Sequence, residues 1–231
     1  MINGTQSPFA ILPPSMCGRY TITIDKSSIE RRFNAKFATG QTNFEPTYNA
    51  APSQLLPIIR TYAPGEITLA KWGFIPEGWT SSHIRPPNNA RLETARDKPM
   101  FRESFSGRHC MVLADSFYEW KTMPDGRKQP YRFVMKTGEP FAMAGIYARD
   151  HNDLNRLNFA ILTTSANAVM EPIHDRMPVI LPLGSEKKWL PASPSGMVVF
   201  PKFPAEFMTA YPVTPKMNRA TFNVPEAIAP L

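Results

Sequence analysis

The feature that most constrains the fold is a succession of short β-like runs, each closed off by a turn residue. Residues 18–24, 55–60, 66–72, 109–114, 116–121, 131–135, 141–149, 157–163, 179–181, 197–200 and 210–213 are rich in β-branched or aromatic side chains and are bounded by Pro, Gly, Asn or Asp. So many short strands imply a sheet that closes on itself or folds over. The segment MPDGRKQP (123–130) reads as a hairpin loop with Asp125-Gly126 at its turn. Helical signals are fewer. Ser27-Ser28-Ile29-Glu30 has the form of a capping box, and Ile29, Phe33 and Phe37 follow at helical spacing. Asp97 stands ready to cap a short helix carrying Met100, Phe101 and Phe105, with Pro99 in its first turn. Ser165 and Ser185 open two more, the second carrying Trp189. The class is therefore α+β: a single compact β-rich domain with a mainly antiparallel, barrel-like curved sheet and a few short flanking helices.

Composition narrows the function classes. Of 231 residues 25 are proline, about twice the usual ~5%; Pro and Gly together still fall below the low-complexity range, so the prolines belong to turns and stiff loops. No apolar run approaches the roughly 18 residues needed to span a bilayer. The N-terminal MINGTQSPFAILPPSMC lacks the cationic start and apolar core of a signal peptide. Cys17 and Cys110 form at most one bridge and are too few for a cysteine zinc site, while the four histidines show no HxH or HxxxH spacing. A reducing, cytoplasmic setting is expected (nucleoid-associated if the chain is bacterial), with no metal. Twenty-six basic against nineteen acidic residues give +7, which favours an anionic partner. The excess is spread along the chain, so any nucleic-acid surface has to be assembled by folding.

Four separated segments carry the chemistry: MCGRY (16–20), NARLET (89–94), FYEW (117–120) and HDRMP (174–178). Each alone has a bland alternative. A cysteine beginning a strand is a small hydrophobe; Asn89 is a turn or cap residue; a Glu between Tyr and Trp faces solvent; His-Asp-Arg is a surface ion-pair cluster. Together with YNAAP (48–52) and WGFIP (72–76), in this order, they resemble the SOS-response-associated peptidase (SRAP) family, proteins that crosslink to abasic sites in single-stranded DNA and shield them. The resemblance runs from residue 16 to about 225. It implies a compact β-rich α+β domain over residues 17–231, covalent attachment to abasic single-stranded DNA, a monomer, and neither metal nor cofactor.

The implied chemistry follows from functional groups. A ring-opened abasic site presents an aldehyde, and a chain beginning at Cys17 presents a 1,2-aminothiol. The amine condenses to a Schiff base and the thiol closes a thiazolidine, the second step gaining a large effective molarity because both groups belong to one residue. Near pH 7 an ordinary α-amine (pKa ~8) and thiol (~8.5) are mostly protonated, so proton transfer needs help. By resemblance Glu119 and His174 are the acid/base pair, their division of labour open between carbinolamine dehydration and sugar ring opening, and Asn89 is the active-site amide. Arg19 and Arg91 are expected to grip phosphates. Asn49, Thr163 and Trp120 match backbone-contact positions, and Pro52 and Trp79 lie where the family wedges against bases.

Sixteen residues precede Cys17, and an acylated amine cannot form a Schiff base. Residues 1–16 are therefore expected to be a leader or a mis-assigned start, removed by initiation at Met16 with methionine excision or by self-processing at Met16-Cys17. Two other classes stand beside covalent capture: a cysteine peptidase using Cys17, His174 and perhaps Asn89, and a noncatalytic single-strand-binding module.

Overall fold

The computed structural model describes residues 18–41, 43–79, 85–150, 153, 156–191 and 201–231; Cys17, the residues before it and the run at 197–200 lie outside. In chain order the elements are β1 (Arg19–Ile22), α1 (Lys26–Phe33), β2 (Lys36–Phe37), β3 (Thr47–Ala50), β4 (Leu55–Arg60), β5 (Ala63–Trp72), β6 (Asn89–Arg91), α2 (Leu92–Ala95), α3 (Pro99–Gly107), β7 (His109–Ala114), β8 (Ser116–Thr122), β9 (Lys128–Met135), β10 (Phe141–Arg149), β11 (Leu157–Ser165), β12 (Arg176–Pro178) and β13 (Met208–Pro212). Single 3₁₀ turns occupy Glu186–Trp189, Ala205–Phe207, Pro215–Asn218 and Pro225–Ile228.

The sheet closes as the strand pattern requires. β5, β4, β7, β10 and β11 pair antiparallel in that order, and β11 returns to β5 in parallel through Asn158 opposite Lys71 and Phe159 opposite Trp72. β7 is buried along its whole length and β10 along all but its last residue, so both faces of these strands are covered and they read as continuous apolar runs. The curl needs a residue without a side chain at Gly145. A Cβ there would lie 2.9 Å from both Cys110 Sγ and Val112 Cγ2, closer than packed atoms approach. Trp72 and Trp189 are core residues.

A second, antiparallel sheet has the order β13-β9-β8-β1-β3. The chain passes from the barrel to this sheet at Asp115, whose backbone N–H donates to the Thr21 carbonyl at 2.9 Å. The Asp115 carboxylate accepts from the hydroxyls of Thr21 and Thr23 and from the Thr23 N–H, so the buried corner leaves no carboxylate oxygen bare.

Several local expectations are corrected. The cap of α1 is Asp25 rather than Ser27: its carboxylate accepts from Ser28 N–H at 3.0 Å, and these hydrogen bonds hold its pKa well below the usual range. Asn34, in the left-handed region at φ 46°, ends the helix, which sends Phe37 into β2 while Ile29 and Phe33 stay buried. Glu30 then accepts from Phe37 N–H instead of closing a capping box. α3 starts one residue later than Asp97 would dictate, with Lys98 as its cap and Pro99 in the first turn. Ser165 ends β11, and residues 167–174 form turns held by Asn167 Oδ1, which accepts from Met170 N–H at 3.1 Å. The run at 179–181 pairs only through a bridge from Ile180 to Met143, the strand proper being β12 just before it.

Candidate functional site

Trp72 joins four of the six motif segments. Its indole stacks on Phe159 and leans on Tyr20 of MCGRY, with ring centres 6.3 and 5.1 Å apart. Its Nε1 donates to the Asn88 carbonyl at 2.9 Å, one residue before NARLET. Its own carbonyl accepts from Ser53 N–H at 2.7 Å, which fixes the turn that carries Pro52 at the end of YNAAP. The loop after Trp72 is equally fixed. Gly73, at φ 137°, adopts a conformation that favours glycine. Asn158, 2% exposed, clasps Ile75 by both backbone groups, its Oδ1 accepting at 2.9 Å and its Nδ2 donating at 3.1 Å. That clasp anchors the loop leading to the half-buried Trp79.

The other two motifs join through strands. β1 and β8 pair antiparallel with Arg19 opposite Tyr118 and Tyr20 opposite Phe117; at that end of the ladder Gly18 precedes Arg19 and Glu119 follows Tyr118. Alternation puts Glu119 on the same face as Phe117, toward the main core, and it is only 3% exposed. This overturns the solvent-face alternative for Glu119: a carboxyl group is buried beside the strand that Cys17 precedes.

At the end of β11 two motif segments, NARLET and HDRMP, pair with the same strand. β6 runs parallel to β11, with Asn89 opposite Ile161 and Arg91 opposite Thr163; β12 runs antiparallel to β11, with Thr163 opposite Pro178 and Ser165 opposite Arg176. Ala90 is buried, Asn89 half-buried and Arg91 exposed, so Asn89 and Arg91 share the outward face. His174 leads into β12 from a turn anchored by the buried Met170 and Met177. Its Nδ1 lies 3.1 Å from the Arg176 N–H and 2.9 Å from Asp175 Oδ1. A single ring nitrogen cannot serve both: bare Nδ1 accepts from Arg176, and protonated Nδ1 donates to Asp175. Nδ1 thus has a partner whether or not it carries the hydrogen.

Two residues that sequence reasoning missed tie this cluster. Arg176 donates to both oxygens of Glu93 at 2.7 Å and to the Thr163 carbonyl at 2.7 Å. This fork locks NARLET to HDRMP, and the Arg176 hydrogen bond draws the Glu93 pKa down. HDRMP is therefore not a free surface ion-pair cluster. Thr163 is fully buried, its hydroxyl accepting from Arg176 at 3.3 Å, so it supports the fork. The sequence signal for Glu93 was its place within NARLET beside two residues already singled out.

Arg19, Asn49 and Trp120, expected to contact DNA, each also hold the C-terminal part of the chain. Asn49 is fully buried; its Nδ2 donates to the carbonyls of Met217, Arg219 and Phe222 at 2.9, 3.0 and 3.1 Å, and its Oδ1 accepts from Arg19 Nη1 at 2.9 Å. Arg19 also donates to the carbonyls of Met217 and Asn218, and burial lowers its pKa. Trp120 Nε1 donates to Asn218 Oδ1 at 2.7 Å. All three clasp the C-terminal segment 217–223. Cys110 is fully buried and desolvation pushes its thiol pKa up, away from nucleophilic use. Among the described residues no group of three His, Cys, Asp or Glu side chains could hold a metal ion, and no helix is long and apolar enough to cross a membrane.

Known proteins share this organisation. The chain is 36% identical over 223 residues to the abasic site processing protein YoqW of Bacillus subtilis, covering 92% of this chain and 99% of that one. It is 27% identical over 263 residues to the abasic site processing protein HMCES of Xenopus tropicalis, covering 93% and 78%. A solved structure from Bacteroides thetaiotaomicron superposes with a TM-score of 0.79 at 26% identity, covering 93% of this chain and all of the other. Residues 16–220 match the family described as SOS response associated peptidase (SRAP). With six motifs packed around one tryptophan and two sheet ladders, the chain belongs to the SRAP family.

Proposed function

We propose that this protein captures abasic sites in single-stranded DNA through the aminothiol of Cys17. The observation that carries the reading is the β1–β8 ladder: Arg19 pairs with Tyr118, whose chain neighbour Glu119 is buried, and Cys17 stands two residues, about 7 Å of chain at most, before Arg19. The names of the relatives, abasic site processing proteins, support the same substrate. The Cys17 nitrogen attacks the aldehyde carbon to give a carbinolamine, which loses water to an imine. The sulfur then adds to that carbon, the π pair moves to nitrogen, and nitrogen keeps one proton in a five-membered thiazolidine. One water is released and nothing is oxidised or reduced. Glu119 and His174 carry the protons between them, and Asn89 holds the amine or a sugar oxygen with an amide that does not titrate.

Arg91, on the exposed face beside Asn89, neutralises a phosphate, and Pro52 and Trp79, both anchored through the Trp72 strand, border the bases. The active form begins at Cys17, by initiation at Met16 or by cleavage of Met16-Cys17 within the protein itself, and residues 17–231 act as one domain.

The test is Cys17-initiated protein with a single strand carrying one abasic site, beside an undamaged strand and a duplex, read on a denaturing gel and by intact mass. A heat-stable adduct weighing protein plus strand less one water is expected, and Cys17→Ala forms none. An adduct that survives Cys17→Ala overturns the proposal. Peptidase activity that persists after the α-amine is blocked, with no adduct, assigns Cys17 to thiol chemistry alone. Equal, purely reversible binding of damaged and undamaged strands reduces the protein to a binding module.

A further inference from the structure

We propose that the groove between the β8–β9 hairpin and the turn at Pro215–Asn218 is a second phosphate-binding track, which holds the single strand flanking the lesion; the inference rests on the function proposed above. The groove encloses ≈ 360 Å³ and is lined by Met123, Arg127, Lys128, Gln129, Pro215 and Asn218. Lys121 lies on β8 two residues before Met123, Lys216 lies on the turn, and the exposed Arg219 follows it. Segments 120–129 and 214–221 together contain five cations and one acid, Asp125. That acid is already held by Arg127, which donates Nε at 2.6 Å and its backbone N–H at 3.0 Å.

Lys121, Lys128, Lys216 and Arg219 meet no carboxylate among the described residues, as is also true of Lys136, Lys187 and Lys188, whereas Arg32, Lys36, Arg60 and Arg176 each do. Unneutralised cations held side by side repel one another and favour a polyanion.

The groove is also preformed. Gln129 Nε2 donates to the Val213 carbonyl at 2.9 Å, Val213 N–H donates to the Pro130 carbonyl at 3.0 Å, and Trp120 fixes Asn218 at 2.7 Å. Strand β8 connects it to the site. At about 3.4 Å per residue, Thr122 lies roughly 10 Å along the strand from Glu119 and on its opposite face, so a strand anchored at the site reaches the groove by passing round the strand end. Met123 and Pro215 add apolar surface between the cations, which suits the alternation of phosphate and base in a single strand better than a free anion.

The experiment compares the triple charge reversal R127E/K128E/K216E with a matched reversal elsewhere, K136E/K187E/K188E. Both act on Cys17-initiated protein, with a short abasic oligonucleotide, a long one extended on both sides of the lesion, and the long undamaged strand. The groove variant is expected to bind the long strands about tenfold more weakly, with a log–log salt dependence shallower by about 2. Its adduct yield on the short oligonucleotide should be unchanged, and the matched reversal should show a smaller loss. Equal losses in the two variants, or an equal loss on short and long strands, overturn the track. Displacement by a polyglutamate peptide but not by oligonucleotide assigns the groove to an acidic protein and overturns it as well. If unaltered protein forms no adduct at all, the capture chemistry fails, while binding of the undamaged strand still judges the groove.

Discussion

Two regions of this molecule use the same residue types for opposite ends. Around the end of β11, Asn89 and Arg91 sit on an outward face, with His174 held beside Asp175 and Arg176. Beneath the C-terminal segment, Asn49 and Arg19, an amide and a guanidinium from equally recognisable motifs, are turned inward onto backbone carbonyls. The difference lies in what each strand packs against. β6 borders β11 at the rim of the barrel, so alternate side chains emerge. β3 and β1 are roofed by residues 217–223, whose irregular backbone needs donors for its buried carbonyls. A motif residue can therefore hold a distant segment of the fold, whatever else it touches.

The sharpest way to break that contrast is Asn49→Ala. Two amide protons serve three carbonyls and one amide oxygen steadies Arg19, so truncation leaves buried acceptors unmet; a loss of about 3 kcal/mol is expected. Chemical denaturation checks it, and a change within about 0.5 kcal/mol would return Asn49 to the role of a ligand contact. Arg91→Ala should do the reverse. Its stability should stay within about 0.5 kcal/mol, while affinity for abasic single strands falls by about 1 kcal/mol irrespective of flanking sequence. Fluorescence anisotropy against salt reads it, and an unchanged salt slope would remove Arg91 from the phosphates.

Most of the barrel was legible because its strands carry their own signal. Leu55–Arg60, His109–Ala114 and Phe141–Arg149 match their β-rich runs end to end, since a strand buried on both faces is apolar throughout. What was not legible depends on partners distant in sequence. β6 is three residues long and exists only because β11 lies beside it. The solvent-face alternative for Glu119 failed because side-chain alternation gives a period but not which face the core takes. The fork from Arg176 to Glu93 spans 83 positions, and the clasp of Asn49 on Met217 spans 168. No local pattern encodes either; only the fork has both ends, Glu93 and Arg176, inside motif segments.

The smallest effect expected is also the one that tests how firmly the rim is set. Arg176 lowers the Glu93 pKa, so the pair stabilises the fold above the carboxylate's unfolded value of about 4.3. That contribution is lost as pH falls through the lower folded value, because the native state must then take up a proton it had excluded. Glu93 is about half exposed, and solvent screening limits an open pair, even a bidentate one, to about 0.5–1 kcal/mol. Glu93→Gln keeps the shape and deletes the charge. At pH 7 it should lower stability by that amount, and the gap from the unaltered protein should close as the pH drops below about 4. Since the fork also holds the strand after His174, the pH profile of adduct formation should change while the extent of strand binding does not. A stability gap independent of pH would mean that the fork acts through packing, and an unmoved pH profile would leave His174 positioned by its own turn and by Met170 and Met177 alone.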